Sequence, residues 1–424
     1  MLFRSQRPDA SDASETPGPQ ERDRGEHQRA GPEAERGDGP TDAAVGLPPD
    51  PQHQVDEGAA DDEPEDRDDV ARDRHDAREG HRHAEDARPA TSGGTALPLD
   101  VDSGLGLHPS LTGFRDLLDQ GRLEVVQGVG YPNPNRSHFA SMDIWQTGRT
   151  SGQGTGWLGR FFDHQCGGTP DPQAAIALGR DAPLALVGEV QKPIAFEDER
   201  LFRWKGEDLH PAMAAPYERL VRAGELPDVD PDSQAAYLMR TSLDAQISSD
   251  RIRAAVRRAP GVRYPGGPLS GQLRLIASMI ADEMPTRVYY ASLGGFDTHG
   301  NQLGSHAGLM RQLGDAVAAF QADLQQQGAG DHVMTMVFSE FGRRVAENGS
   351  GGTDHGTAAP MFLVGPKVRP GVIGNHPSLT DLDGGDLRYT LDFRSVYAGI
   401  LAGWFAVDPG PILGRNHPPA RIVV

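Results

Sequence analysis

From about Ala96 onward, apolar residues recur at two spacings. Leu111–Leu118 (LTGFRDLL) carries them at the three-to-four-residue spacing of a helix. Leu123–Val129 (LEVVQGV) is a β-rich run ending in the turn-forming Tyr131–Asn135 (YPNPN). Ala182–Gly188 (APLALVG) reads as another short strand. Pro211–Ala281 reads as mainly helical, with Ala/Leu/Arg-rich segments at Ala235–Arg258 and Leu269–Ala281 separated by a Pro260–Pro268 loop. The most regular stretch follows: Arg287–Leu293 (RVYYASL) as strand, Leu303–Gln327 as amphipathic helix and His332–Phe338 (HVMTMVF) as strand. That order predicts a right-handed crossover between parallel strands. Met361–Val364 adds a buried strand, and Asp392–Phe405 a last helix with Asp392 as its N-cap. Together these elements predict an α/β fold, a doubly wound and mostly parallel sheet with helices on both faces, without internal repeats.

The first 95 residues break this pattern. Met1–Ala90 holds 12 Arg, no Lys and 25 acidic residues, and so carries −13 of the formal net charge of −20. It has one aromatic residue (Phe3), no Ile and three Val, too little apolar surface to offset the entropy of ordering. Residues 1–95 are therefore expected to be a disordered, acidic, low-complexity tail. Residues 96–424 are expected to form the α/β domain, with a helical insertion around 211–281. With only Lys192, Lys205 and Lys367 as lysines, the chain has no basic cluster for a phosphate backbone, so no nucleic-acid partner is expected. No stretch reaches the 18 or so apolar residues of a membrane span, and no secretory pattern opens the chain. A single Cys, Cys166, excludes a Cys-cluster zinc site and has no activating partner in sequence.

Ligands of open parallel sheets bind beyond the carboxyl ends of the strands, so the residues that follow each strand carry the functional signal. After Arg287–Leu293 comes Gly294–Gln302 (GGFDTHGNQ), with Asp297 and His299. After His332–Phe338 comes Ser339–Arg344 (SEFGRR), with Glu340. Asn348–Thr357 (NGSGGTDHGT) carries Asp354 and His355 on a glycine-rich loop, and the Leu123 strand leads to Asn135–Phe139 (NRSHF), with Ser137 and His138. Oxygen and nitrogen donors without thiolate suit Zn²⁺, Mn²⁺ or Mg²⁺, and a metal beside a serine activates it as a nucleophile. Each residue also has a plain structural use. Ser137 and Asp297 suit caps, Glu340 an ion pair with Arg343 or Arg344, and His355 a backbone hydrogen bond. Arg136 and Arg343 suit an anionic oxygen or a salt bridge equally. His306, on the helix after Asp297, reads as a second candidate ligand or a solvent-facing side chain. What favours a shared site is the recurrence of these groups at successive strand ends.

Several motifs resemble the bacterial family called domain of unknown function 1501. They are Gly106–Ser110 (GLHPS), Val126–Phe139 (VQGVGYPNPNRSHF), Met142–Thr147 (MDIWQT), Gly294–His299 (GGFDTH), Phe338–Arg344 (FSEFGRR) and Gly352–Pro360 (GTDHGTAAP). The likeness runs from about Ala96 to the C-terminus. That family is similar to the alkaline phosphatase and sulfatase superfamily, which implies an alkaline phosphatase-like α/β fold with a metal-assisted site at the strand ends. The resemblance implies Ser137 as nucleophile, Asp297 with His299 or His306 on one metal, Glu340 in the place of an Asp-His pair's Asp, and His355 as the final His. Phe341 stands where that pair's second member is usual, which implies one metal or none. The family's opening strand, ending in a Gly-Gly-Asn-Asp-like turn, is not found, which implies an N-terminally altered copy with open sheet edges. Related proteins often carry twin-arginine export signals, and none is visible in this chain.

The expected function is hydrolysis of a small anionic phosphate or sulfate ester. Ser137 would be the nucleophile, Arg136 would orient the substrate, and Asp297, His299, Glu340 and His355 would hold a divalent metal. The alternative is a catalytically inactive α/β binding protein with a vestigial site, which Phe341 and the missing strand favour. A serine esterase using Ser137 and His138 fits less well, since adjacent residues rarely face each other and no Gly-x-Ser-x-Gly elbow is present.

Overall fold

The computed structural model describes residues 1–5, 96–99, 105–198, 206–222, 233–234 and 248–424. The chain divides into two compact units, one of Met1–Arg7 with Ala87–Val424 and the other of Pro8–Asp86. The second unit lies outside the described residues, and so does the expected acidic tail apart from its first five residues.

The first unit is built on a nine-stranded sheet. Its elements in chain order are β1 (Leu2–Arg4), β2 (Leu123–Gly130), β3 (Ala175–Leu178), β4 (Ile194–Phe196), β5 (Val288–Tyr290) and β6 (Val333–Val337). A separate hairpin follows, β7 (Arg343–Glu347) with β8 (Thr353–His355), and then β9 (Ala359–Val364), β10 (Gly371–Ile373) and β11 (Leu391–Asp392). The order across the sheet is β10-β2-β9-β6-β1-β5-β3-β4, with β11 also paired to β2. β1 and β9 run antiparallel to both neighbours, and the other pairs are parallel, so the sheet is mostly parallel by strand direction.

Strand residues alternate between two cores. Leu2, Leu123, Val125, Ile176 and Tyr289 face helices α1 (Thr112–Asp119), α4 (Pro268–Ala281) and α5 (Gln302–Gln326). Phe3, Val126, Ala177, Val288 and Met334 face α2 (His138–Thr147), α3 (Trp157–Gln165) and α6 (Phe393–Gly399). Both faces are therefore buried, which is why these strands read as nearly continuous apolar runs. β5, α5 and β6 form the expected crossover, with the two strands pointing the same way and β1 between them. Asp392 caps α6, its side chain accepting from the Arg394 amide at 2.9 Å.

Two expectations are corrected. The central gap left by a missing first strand is filled: Leu2–Arg4 ladders to Tyr289 and Val288 on one side and to Thr335, Met334 and Val333 on the other. Phe3 is fully buried against Trp157 and Phe405, so the first residues are core and not tail. Ala182–Gly188 is not a strand but holds a 3₁₀ turn at Leu184–Leu186. Its apolarity reflects burial of Ala185 and Leu186, while the neighbouring β3 and β4 are too short to stand out in sequence. At the end of the expected helical insertion, α4 places Leu273, Ile276 and Ile280 in the core with α5. Of Ala235–Arg258, only the part from residue 248 is described, and it is helical to residue 255.

Two predictions follow from this packing. Phe3→Ala is expected to lower unfolding free energy by about 3–5 kcal/mol in denaturant titration, the usual cost of emptying an aromatic core site. A solvated N-terminus would show almost no change. The second concerns Glu124 on β2, which is fully buried with both carboxylate oxygens unpartnered. Burial pushes its carboxyl up to about 8, against opposing pulls from Arg369. With the folded value above the unfolded one, stability is full below the unfolded carboxyl range and declines as pH rises toward about 8. Glu124→Gln should therefore melt higher than the parent, with a margin that widens from pH 5 to pH 8 at up to about 1.4 kcal/mol per pH unit.

Candidate functional site

Four chain segments reach one rim of the sheet. The loop after β2 is pinned where the Tyr131 hydroxyl accepts from the Asn135 amide at 2.9 Å, and it delivers Arg136, Ser137 and His138 at the start of α2. The turn after β5 delivers Asp297 and His299, and the end of β6 delivers Glu340 and Phe341. The β7–β8 hairpin delivers Arg343, Asp354 and His355. Glycine permits this convergence: a Cβ at Gly352 would lie 2.3 Å from the His299 carbonyl carbon, and one at Gly356 would lie 2.6 Å from that of Arg343. The glycine-rich stretch is thus a close-packing device that lets the hairpin lie against the Asp297 turn.

At the centre is Asp297. Its Oδ1 lies 2.9 Å from His299 Nε2, 2.9 Å from His355 Nε2 and 2.9 Å from an Arg343 guanidinium nitrogen. The two imidazole Nε2 atoms are themselves 2.9 Å apart. His138 Nε2 lies 3.3 Å from Asp297 Oδ2. Donor atoms of His138, Asp297 and His355 all fall within 4.8 Å of one another, a His/Asp/His triad of the kind that holds a metal ion.

The outer nitrogens of the three rings have a common arrangement. His138 Nδ1 faces Glu340 Oε1 at 2.6 Å, His299 Nδ1 faces Asp354 Oδ1 at 3.2 Å, and His355 Nδ1 faces the Arg136 carbonyl at 2.8 Å. Each of those partners only accepts, so each Nδ1 carries a hydrogen, and each Nε2 faces Asp297, donating to the carboxylate when the ring is protonated and offering a lone pair to a metal when it is not. Glu340 is held in turn by the Ser339 hydroxyl at 2.9 Å, and Asp354 by the Asn348 amide at 2.8 Å. Phe341 walls the cluster, its ring centroid 4.9 Å from that of His138 and 4.7 Å from that of His355.

The charges match this wiring. Burial pushes the Asp297 carboxyl up, but hydrogen bonds from His355 and Arg343 and the charges of His299 and Arg343 outweigh it and hold it well below the carboxylate range. The Glu340 hydrogen bond raises His138, with Asp297 adding to the effect against partial burial. The Asn348 hydrogen bond, aided by His299, keeps Asp354 low.

Of the residues expected from sequence, Asp297, His299 and His355 meet atom to atom, and Glu340 reaches them through His138. Ser137 is exposed between Arg136 and His138, at the N-cap of α2, yet its side chain makes no capping bond. The Arg136 guanidinium turns to the buried Asp386 at 2.9 Å and contributes its carbonyl to the cluster. Arg343 is the guanidinium that touches Asp297, and its second terminal nitrogen is buried without a partner. His306 packs beside His108 and Phe296. His138 was legible in sequence as an imidazole in this layer but not as a donor equal to His355. A cavity of about 600 Å³ opens beside the cluster, with His138, Asp297, Glu340 and Arg343 in its wall.

Gly352→Ala is expected to displace the His299 and His355 ring signals in ¹H–¹⁵N spectra and to cost about 1–3 kcal/mol of stability. Gly349→Ala, with open space around its Cβ, should leave both unchanged.

Residues 99–386 match the family model described as Protein of unknown function (DUF1501). No curated protein matches. Two solved structures are similar: Ps i-CgsB in complex with k-i-k-neocarrahexaose (TM-score 0.34) and Ps i-CgsB alone (TM-score 0.33). Each is 11% identical, over 69% of this chain and 66% of the other. The chain thus spans a little under two thirds of the length of those structures. Among the described residues no helix is long and apolar enough to cross a membrane.

Proposed function

The chain belongs to the DUF1501 family, and on that footing we propose that it is a metal-dependent hydrolase of phosphate or sulfate esters. One observation carries the reading: three imidazoles, each with Nδ1 bound to an acceptor, converge with their Nε2 atoms on one carboxylate. Two imidazole nitrogens 2.9 Å apart need a proton or a metal cation between them, and a divalent ion would satisfy both together with the carboxylate. Histidines whose far nitrogens are fixed by carboxylate or carbonyl are the usual surroundings of a bound divalent ion. The spacing also fits, since donors about 2.0–2.1 Å from one ion are separated by roughly 3 Å.

His138, Asp297 and His355 would hold the ion, with His299 completing or stabilising the set. When bound, it would supply positive charge to the ester oxygen and to the serine hydroxyl. The remaining work falls to the chain's own groups. Glu340 and the Arg136 carbonyl fix the rings of His138 and His355. Arg343, with a guanidinium nitrogen to spare, orients the anionic ester, the part first expected of Arg136. Ser137, its hydroxyl free of the cap, is the nucleophile. Its Oγ forms a bond to phosphorus or sulfur as the bond to the alcohol oxygen breaks and the alcohol leaves with a proton. Water then releases the anion and restores the serine.

A second reading rests on the Arg343–Asp297 ion pair: with no metal, that guanidinium and protonated imidazoles would neutralise the carboxylate, leaving a binding site without catalysis.

Elemental analysis of purified protein separates the two. The hydrolase reading expects about one equivalent of Zn or Mn, lost in an Asp297→Ala/His355→Ala double variant. It also expects Ser137→Ala to keep the metal while losing at least about a thousandfold in aryl phosphate or sulfate turnover. Absence of both metal and turnover in the parent, after incubation with Zn²⁺ and Mn²⁺, would overturn it.

A further inference from the structure

The cavity beside the cluster has a polar end and a mainly apolar wall, which Tyr290, Ser292, His306 and Thr335 also line. His138, Asp297, Glu340 and Arg343 form that end, while Leu273, Met310, Leu313, Val317, Val337 and Phe362 are among the side chains that line the rest. These come from α4, α5, β6 and β9, the elements of the sheet face that α4 and α5 cover. At about 600 Å³ the space is in the range that encloses a whole small-molecule ligand, and far exceeds what an inorganic anion needs. Beside the polar end, Phe139 directly follows His138 and is 86% exposed, an unusual placement for a phenylalanine.

A sugar would leave its hydroxyls without partners along such a wall, at a cost for each buried group. An alkyl or aryl group would instead displace water from apolar surface at no polar cost. We propose that the site takes esters whose organic part is a long alkyl or aromatic group, with the anionic head at His138, Asp297 and Arg343 and the apolar tail in the cavity between α4, α5 and the sheet. The assignment rests on the ester-hydrolase reading for the head and on the cavity wall for the tail.

The test is a homologous series of n-alkyl phosphates and n-alkyl sulfates, ethyl to decyl, measured by calorimetric binding and by hydrolysis, with glucose 6-phosphate and glucose 6-sulfate as sugar comparisons. Affinity is expected to rise about threefold to fourfold per added methylene until the cavity is filled. Leu313→Trp, which occupies that space, should flatten the rise for the longer chains. Circular dichroism checks that the variant folds, and Met310→Trp serves as the second variant. Chain-length-dependent binding without turnover would support the tail site while overturning the hydrolase reading. Turnover of short or sugar esters with no dependence on chain length would leave the hydrolase standing and overturn the tail site. Binding of no member of either series would overturn the tail site as well.

Discussion

The site depends on where three protons sit. Glu340, Asp354 and the Arg136 carbonyl each take the Nδ1 hydrogen of one imidazole, and this leaves three Nε2 atoms and the Asp297 carboxylate facing inward. Arg343 donates into that set, and His355 does so when its Nε2 carries a proton. The fold is spent on keeping the acceptors in place: Ser339 holds Glu340, Asn348 holds Asp354, and α2 with its pinned loop fixes the Arg136 carbonyl. Ser339 follows β6 and the pinned loop joins β2 to α2, all packed in the cores, so those two acceptors inherit their rigidity from the sheet, whereas Asn348 holds Asp354 from the separate β7–β8 hairpin.

The same sheet explains the one-sided cavity. Strands buried on both faces carry apolar side chains on both, and where α4 and α5 stand off near the rim, the exposed wall is made of those core residues. A polar cluster at strand ends and an apolar hollow behind it are then two consequences of one architecture. β1 joins them, since Leu2 belongs to the cavity wall and Phe3 to the opposite core.

Much of this was legible in the sequence because the signal was local. β2, β5, α5, β6 and the capped α6 are long or strongly periodic, and the polar residues after each strand announced the rim where Asp297, His299, Glu340 and His355 gather. What was not legible depends on distant partners. Leu2–Arg4 is a strand only because β5 and β6 present unpaired ladders on either side, and no composition rule applied to the acidic stretch around it could show that. Ala182–Gly188 is apolar for packing and not for pairing. Arg136 and Arg343 were equal in sequence, and Asp386, far along the chain, decided which guanidinium turns away.

Long-range ¹H–¹⁵N correlation of the histidine rings, on metal-free and metal-loaded protein at about pH 8, above the unperturbed imidazole range, reads the proton positions directly. With Zn²⁺ bound, the account predicts Nδ1–H tautomers for His138 and His355, with both Nε2 atoms unprotonated and shifted from their metal-free positions. Nε2–H tautomers, or imidazolium rings that persist and ignore the metal, would contradict it.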